Sequence, residues 1–297
     1  MIDVFTPTNK VLMSASYLNP NPTFPTLRIV PVEKLVPHER CDTARTLSLE
    51  ARLIADGVLR NPPIVASLQD TEGDYVVLDG ANRTNALKTM RVPHILVQVA
   101  SPGESGFDLT TWNQVVLGIS PEELLALLGG IPDINLKIDK RPGLIPDRMG
   151  ISSVIQVHLP TGEIYTAYAQ ASDRLSRVQL LNFIMDRIGK SARLDRTHLQ
   201  SIDILTGLHP DLAGLIVFPC LKIEEVIQMA KARQMIPAGI TRFTISPRAL
   251  RVNYRICDLR AEGSLAEKNA LLLAWIQERI ARKGVRSYDE TTVMFDE

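Results

Sequence analysis

This sequence has few cysteines and few aromatic residues, and neither charge is in excess. The three cysteines, Cys41, Cys220 and Cys257, are too few and too scattered for a disulfide framework, and none stands in a Cys-x-x-Cys pair. We expect them to be buried as small apolar side chains in a reducing cytosol. The 33 basic residues balance 33 acidic ones, giving a formal net charge of +0. This excludes a global attraction to nucleic acid or to an anionic membrane surface, although a local basic groove remains possible.

Long apolar runs are also missing. No stretch is long enough to cross a bilayer, and the N-terminus lacks the basic and apolar segments of a secretory signal. We therefore expect a cytoplasmic protein without a membrane partner. Three prolines, Pro20, Pro22 and Pro25, interrupt residues 1–26, which we interpret as a mobile or loosely docked arm.

From Leu27 onward, short apolar runs alternate with amphipathic segments, which predicts an α+β fold. In residues 46–56 the spacing places Leu49, Leu53 and Ile54 on one helical face. The predicted elements of the first part are strands 27–32, 64–68, 75–78 and 95–99, a polar connection 69–74, and helices over 46–56 and from Ala81.

Beyond a soft boundary within residues 102–119, longer helices and one hairpin are predicted. Ser120 and Ser264 each open a capping box, since a glutamate follows three residues later. The terminal helix from Ser264 is expected to turn Leu271, Leu272, Trp275 and Ile280 inward. The other predicted elements are a hairpin of 154–158 with 164–168, helices 173–188 and 222–233, and a strand 215–218.

The segment from Tyr75 to Ala86 offers a site for phosphate. An apolar strand runs into Asp79 and Gly80 and then directly into a helix. Gly80 has no side chain to block an anion, the first amides of the helix favour negative charge, and Arg83 adds a bidentate donor. Asp79 could hold Mg²⁺ or orient the group that is phosphorylated. An ordinary turn with a helix cap would produce the same pattern.

Three further segments carry candidate functional residues. His38 and Glu39 follow the first strand and could supply a base, or could simply form a solvated loop. Arg242 enters a predicted strand between apolar residues, where it needs an anionic partner more than an arginine on an open helix face would; it could also lie at a strand edge. Residues 110–112 are more typical of packing than of ligand contact.

These segments occur together in one order, and in that order the chain resembles a known family. Gly80, Arg83 and Ala86 match the Gly-x-x-Arg-x-x-Ala signature of the ParB/sulfiredoxin superfamily. Within it the chain is similar to the free L-serine kinases, which include enzymes of siderophore biosynthesis. The likeness covers nearly the whole chain through IVPVEKL, His38-Glu39, IADGVLRNPPIVA, VVLDGANR, Thr111-Trp112, IPAGITRFTIS and a tail like VRSYDETTVMF.

The resemblance implies an architecture and a reaction. A ParB/sulfiredoxin-like nucleotide-binding domain would span residues 27–115, and a C-terminal α/β domain over residues 116–297 would close over it. The cleft between them would bind L-serine and a nucleotide, ATP or ADP, with Mg²⁺. The serine hydroxyl would be phosphorylated to give O-phospho-L-serine.

The resemblance also implies roles for individual residues. Glu39 would be the base that takes the hydroxyl proton, and Asp79 the second essential acid and the metal ligand. The nucleotide would be bound by Gly80, Ala81, Asn82, Arg83 and Thr84, and the amino acid by His38, Thr111, Trp112, Thr241 and Arg242. Asn82 departs from the family, which usually has a histidine before the motif arginine. Asparagine can donate a hydrogen bond but cannot carry a proton.

Other functions compete with a kinase. A ParB-like nucleotide-dependent DNA-binding protein would need a basic helix-turn-helix after the first domain, but residues 121–139 are apolar and acidic. We therefore do not expect nucleic acid as a partner. Asn82 leaves open a nucleotide-binding regulator without kinase activity. Sulfiredoxin chemistry is excluded because position 81 is alanine rather than cysteine. Threonine or another hydroxy amino acid stays open as substrate.

Overall fold

A computed structural model describes residues 24–41, 43–68, 73–139, 152–169 and 174–288. The strands are β1 (Thr26–Pro31), β2 (Leu35–Pro37), β3 (Val58–Leu59), β4 (Ile64–Ser67), β5 (Tyr75–Asp79), β6 (His94–Val99), β7 (Phe107–Thr111), β8 (Asn113–Leu117), β9 (Ile134–Asp139), β10 (Ser152–His158), β11 (Ile164–Ala169), β12 (Arg193–Thr197), β13 (Leu212–Val217), β14 (Thr241–Ile245) and β15 (Tyr254–Arg255). The helices are α1 (Thr43–Asp56), α2 (Ala81–Thr89), α3 (Pro121–Gly129), α4 (Arg174–Gly189), α5 (Ile202–Leu208), α6 (Ile223–Lys231), α7 (Ile256–Arg260) and α8 (Leu265–Ala281). The α+β fold class is confirmed.

The first sheet has the strand order β1-β6-β4-β5-β2 and is mixed, with β2 parallel to β5 and β4 parallel to β6. Residues 75–78 are buried throughout, which explains the continuous apolar run of β5. Helix α1 turns Leu53 inward, as predicted, but Ile54 is 64% exposed. That prediction was wrong because the buried face of α1 includes Leu53 at 7% exposure, whereas Ile54, about 100° further round the helix, lies outside it.

The second sheet has the order β12-β8-β13-β10-β11-β9, and the predicted hairpin is confirmed as β10 and β11. Its core contains Ile155, Ile184 and Ile188, so α4 packs on this sheet. Residues 121–139 form α3 and β9 rather than two helices, so the helix-turn-helix of a DNA-binding protein is not found there. Both serine capping boxes are confirmed, each glutamate bonding back to the amide of its serine at 2.7 Å.

Two short pairings join distant parts of the chain. Strand β14 pairs with β7, and β15 pairs with β3. The chain after β14 returns to the first sheet, where Tyr254, Leu259 and Leu272 share a core with Ile29 and Leu96. The division at residues 115 and 116 stays a prediction; β8 spans that point, and the core of the first sheet includes residues from beyond it.

Helix α8 covers the outer edge of the first sheet. The side chain of Asn269 accepts a hydrogen bond from the N–H of Ile29 and donates one to its carbonyl, both at 2.9 Å. Because β1 is the edge strand, this amide occupies the position that a neighbouring strand would take. Leu272 is buried on the inner face of α8, but Leu271, predicted to point inward, is 68% exposed on the other side.

The cysteines do not lie where their residue type suggests. Cys41 is half-buried, whereas Cys220 and Cys257 are exposed, so the prediction of three buried thiols was wrong. Cysteine is buried in most proteins because its side chain is apolar, but the loop or helix face on which each cysteine lies decides whether that residue is buried. Among the described residues, no helix has the length and apolar character needed to cross a membrane. Residues 1–23 of the predicted arm, most of the 69–74 connection and the tail after residue 288 lie outside the described residues.

Candidate active site

One cleft, with a volume of about 970 Å³, collects most of the residues singled out from the sequence. Its walls come from the chain after β2, one face of α1, the junction of β5 with α2, and the segment from β14 to Arg248. The predicted residues that line it are His38, Glu39, Asp79, Gly80, Ala81, Asn82, Arg83, Trp112, Thr241 and Arg242.

Gly80 forms the turn from β5 into α2. It has φ 92°, in the left-handed region that favours glycine, and a Cβ atom there would lie 2.9 Å from Nη2 of Arg83 and 3.0 Å from Cβ of Pro63. The amide of Thr84 makes the first intrahelical bond, to the carbonyl of Gly80. The first turn of α2, from Ala81 to Arg83, lines the cleft, and the N-terminus of a helix favours negative charge.

Two arginines converge on Asp79. Nη2 of Arg83 lies 3.4 Å from Oδ2, and Arg248 pairs with the same oxygen from the opposite wall. Burial of Asp79 would by itself raise the pKa of its carboxyl, but Arg83 and Arg248 outweigh burial and hold that pKa below its ordinary value. Asp79 is therefore ionised at neutral pH.

Glu39 is held by the backbone that leads into β14. Its Oε2 accepts a hydrogen bond from the amide of Gly239 at 2.8 Å. Its Oε1 accepts bonds from the amides of Ile240 and Thr241, at 3.1 and 2.7 Å, and from the Thr241 hydroxyl at 2.6 Å. With three partners Oε1 is saturated, whereas Oε2 keeps room for one more donor. The carboxylate is thus fixed in position with one oxygen available.

His38 and Glu39 share the hydroxyl of Thr241. Nδ1 of His38 lies 2.6 Å from the carbonyl of Val77, which can only accept, so Nδ1 carries a proton. Nε2 lies 2.7 Å from the Thr241 hydroxyl, which has one proton and donates it to Glu39. The Thr241 hydroxyl thus links the imidazole of His38 to the carboxylate of Glu39.

Trp112 and Arg242 form another part of the cleft lining. The guanidinium carbon of Arg242 lies 5.0 Å from the centre of a Trp112 ring, a cation–π contact. The amide of Trp112 donates to the carbonyl of Ile240 at 2.8 Å, which ties this tryptophan to the segment that holds Glu39. The pair presents a positively charged donor over an aromatic face.

Two predicted residues lie behind the cleft wall. Thr84 is buried, and its hydroxyl has no hydrogen-bond partner among the described residues. The hydroxyl of Thr111 lies 3.9 Å from the sulfur of Cys220. Neither side chain lines the cleft, so their assignment to ligand binding rests on the sequence alone.

Sequence reasoning missed most of the arginines that line the cleft. The cleft is lined by eight arginines but only three carboxylates, those of Glu39, Asp56 and Asp79. The spacing of Arg45 and Arg52, seven residues apart on α1, was a usable signal for two of them. The arginines are Arg40, Arg45, Arg52, Arg60, Arg83, Arg196, Arg242 and Arg248.

The donor set limits the kind of metal that fits. Within the described ranges, no group of three or more His, Cys, Asp or Glu side chains could hold a metal ion. Mg²⁺ needs no such cage, because it retains waters and commonly binds through one carboxylate together with substrate phosphates. Asp79 beside the Gly80 turn fits that mode.

Comparison with known proteins identifies similar chains of named activity. The chain is 23% identical over 246 residues to the ATP-dependent L-serine kinase SbnI of Staphylococcus aureus, covering 81% of this chain and 87% of SbnI. No family model matches the chain.

Comparison with solved structures also identifies SbnI and a free serine kinase. A C-terminally truncated SbnI from Staphylococcus aureus superposes with a TM-score of 0.67 at 22% identity, over 86% of this chain and 97% of that one. A free serine kinase variant in complex with AMP gives a TM-score of 0.64 at 13% identity, over 80% and 95% of the two chains. A complex of a variant with ADP gives 0.63 at 15% identity, over 80% and 96%. The chain therefore has the fold that SbnI and the free serine kinase share.

Proposed function

We propose that this chain is a free L-serine kinase that transfers a phosphoryl group from ATP to the serine hydroxyl, giving O-phospho-L-serine. The observation that carries the proposal is the convergence in one cleft of the Gly80 turn, the immobilised Glu39 carboxylate and the Trp112–Arg242 pair. The named activity of SbnI and the nucleotide complexes of the free serine kinase support the same reaction.

The Gly80 turn is the phosphate end of the cleft. The first amides of α2 and the guanidinium of Arg83 would bind the phosphates of the nucleotide. Asn82 lies beside them, and Oδ1 of its side chain is 3.4 Å from the hydroxyl of Thr46. Asp79 would hold Mg²⁺, which in phosphoryl transfer neutralises charge that develops on the phosphate oxygens.

Glu39 is the proposed base. Its Oε2 would accept the hydrogen of the serine hydroxyl, since Oε1 already accepts three bonds. As the serine oxygen bonds to phosphorus, the bond from phosphorus to the bridging oxygen breaks, its electron pair leaves with the nucleotide, and Glu39 takes the proton. Positioning and charge neutralisation supply most of the acceleration in such reactions.

The amino acid would lie between Glu39 and the Trp112–Arg242 pair. Arg242 would bind the carboxylate of serine, because a guanidinium matches a carboxylate through two parallel hydrogen bonds. His38 would help to position the amino-acid end of the cleft through the Thr241 hydroxyl, which is hydrogen-bonded to both His38 and Glu39. We place the reaction in the cytoplasm, where ATP is available and the three free cysteines would stay reduced.

The test is phosphorus NMR, with mass-spectrometric confirmation, of the protein incubated with Mg²⁺, L-serine and either ATP or ADP. We expect O-phosphoserine from the wild type and at least a ~10²-fold lower rate from Glu39→Gln, with nucleotide binding retained. Formation of product with ADP alone would replace ATP as the donor. Absence of product from serine or threonine, with saturable nucleotide binding, would contradict the proposal and favour a nucleotide-binding regulator.

A further inference from the structure

Arg248 lies in the cleft, although no sequence pattern predicts it there. It follows β14, in a segment that has neither helix nor strand, and its guanidinium reaches the Asp79 carboxylate of the opposite wall. An arginine in an irregular segment would ordinarily extend into solvent. What fixes its position is the side chain of Gln98.

Gln98 bonds to the backbone on both sides of Arg248. Its Nε2 donates to the carbonyl of Pro247, and its Oε1 accepts from the amide of Ala249, both at 2.8 Å. Gln98 is only 3% exposed, and both bonds are partly buried. A buried amide that satisfies two backbone groups leaves the intervening residue little freedom. Further along, Oδ1 of Asn61 accepts from the amide of Arg251 at 2.8 Å.

The charges around Asp79 do not balance. One carboxylate meets two guanidinium groups, and the N-terminus of α2 adds positive potential beside them. Arg83 is the more enclosed of the two, with a side chain 19% exposed, and it also donates to the carbonyl of Asn61. The Arg248 side chain is 36% exposed and faces the cleft from the other side. Arg248 is thus the group that can exchange partners.

We infer that Arg248 is a phosphate-binding residue of the nucleotide site, which passes from Asp79 to the terminal phosphate when the nucleotide binds, and that Gln98 is its positioning residue. This inference rests on the proposed function for the identity of the ligand. A terminal phosphate carries more negative charge than Asp79 and offers two oxygens to the guanidinium fork. Arg248 forms and breaks no covalent bond; it binds charge on the oxygens that surround the transferred phosphorus.

The first experiment compares two ligands in two variants. Isothermal titration calorimetry would measure binding of ATP and of AMP to the wild type, to Arg248→Ala and to Arg251→Ala. Arg251 is an exposed arginine three residues further on that does not line the cleft. Arg251→Ala is therefore the control, because it removes the same charge as Arg248→Ala from outside the cleft. We expect Arg248→Ala to weaken ATP binding at least ~10-fold and AMP binding less than ~2-fold, since AMP lacks the distal phosphates. Arg251→Ala should bind both ligands like the wild type.

Two results would overturn the assignment. If ATP binding were unchanged in Arg248→Ala, the residue would not contact the phosphates. If AMP and ATP binding fell equally, the loss would be a general disturbance of the site. Arg248→Lys should recover part of the ATP affinity, because it restores the charge without the bidentate geometry.

The role of Gln98 requires a double-mutant cycle. Gln98→Glu keeps the acceptor for the Ala249 amide but loses the donor to Pro247, and it should lower kcat with little change in the KM for serine. Combined with Arg248→Ala it should add almost nothing, because the residue through which it acts is gone. Full additivity would show that Gln98 has only a structural role. Gln98→Leu, which loses both bonds, should give a larger effect on kcat with the same lack of additivity.

Failure of the inference and failure of the proposed function are separable. Nucleotide titration needs neither serine nor turnover. If the wild type formed no O-phosphoserine, the kinase proposal would fail, while the ratio of ATP to AMP affinity in Arg248→Ala would still decide whether Arg248 binds phosphate.

Discussion

At the scale of single residues, the Thr241 hydroxyl connects the imidazole of His38 to the carboxylate of Glu39. It donates to Glu39 and lies 2.7 Å from Nε2 of His38, so it transmits the position of the buried imidazole to the carboxylate. Thr241→Val should lower kcat of the proposed reaction by about 10² while nucleotide affinity stays within about 2-fold. Thr241→Ser, which keeps the hydroxyl, should retain most of the rate. Steady-state kinetics with calorimetry would measure both, and equal losses in the two variants would contradict a role for the hydroxyl.

The effect of a side chain at Gly80 can be tested against the same substitution at Gly57. Gly80→Ala combines strain at φ 92° with close contacts to Arg83 and Pro63, whereas Gly57→Ala has φ 65° and no atom within 4 Å of the new Cβ. Backbone strain should lower the free energy of unfolding in both by roughly 1–3 kcal/mol. Only Gly80→Ala should also weaken ATP binding, because it displaces Arg83. Urea unfolding and calorimetry distinguish the two effects, and equal ATP affinity in both variants would refute the argument.

Some site residues were predicted from a local pattern. Asp79, Gly80 and Arg83 lie within five positions where a strand meets a helix, so neighbouring residues revealed their geometry. Arg242 was singled out by its apolar neighbours, and the resemblance to a family supplied its role and that of Trp112. Arg248 and Gln98 have no such signal, since their contacts join residues about 150 to 170 positions apart. The partners of Glu39, about 200 positions away, were equally out of reach.

At the scale of elements, the side-chain amide of Asn269 links α8 to β1, in addition to the apolar packing of Leu272 in the same core. Asn269→Ala should lower the free energy of unfolding by about 1–3 kcal/mol, because it leaves the N–H and carbonyl of Ile29 without their partner. Gln277→Ala, at an exposed position of the same helix, is the matched control and should change stability by less than ~0.5 kcal/mol. Urea unfolding followed by circular dichroism measures both. Similar effects in the two variants would show that the amide pairing contributes nothing.

The strands that the sequence did not predict were missed for physical reasons. Strand β12 reads Arg-Leu-Asp-Arg-Thr, and its charged side chains hide the period of a strand at the edge of the second sheet. Strand β7 has no fully buried residue and pairs with β14, which lies about 130 positions later. Strong apolar runs such as β5 and β13 were found because burial on both faces leaves no polar residue to interrupt them.

At the scale of the whole molecule, charge is distributed unevenly. The chain has a formal net charge of +0, yet the described residues that line the cleft include eight arginines and three carboxylates. Raising the NaCl concentration from about 50 mM to about 500 mM should therefore weaken ATP binding by about 10-fold. AMP, with fewer charges, should be affected less. Titrations over this range test the prediction, and an equal salt dependence for both ligands would contradict phosphate binding within the arginine cluster.

The cover that α8 places over β1 has a consequence for solubility. If the chain were cut before Ser264, the backbone groups of Ile29 would lose Asn269 and lie open along the outer strand. An uncovered strand edge is a template on which another chain can add a strand. We expect shortened molecules to associate through their β1 edges and form dimers or larger aggregates, which size-exclusion chromatography would detect.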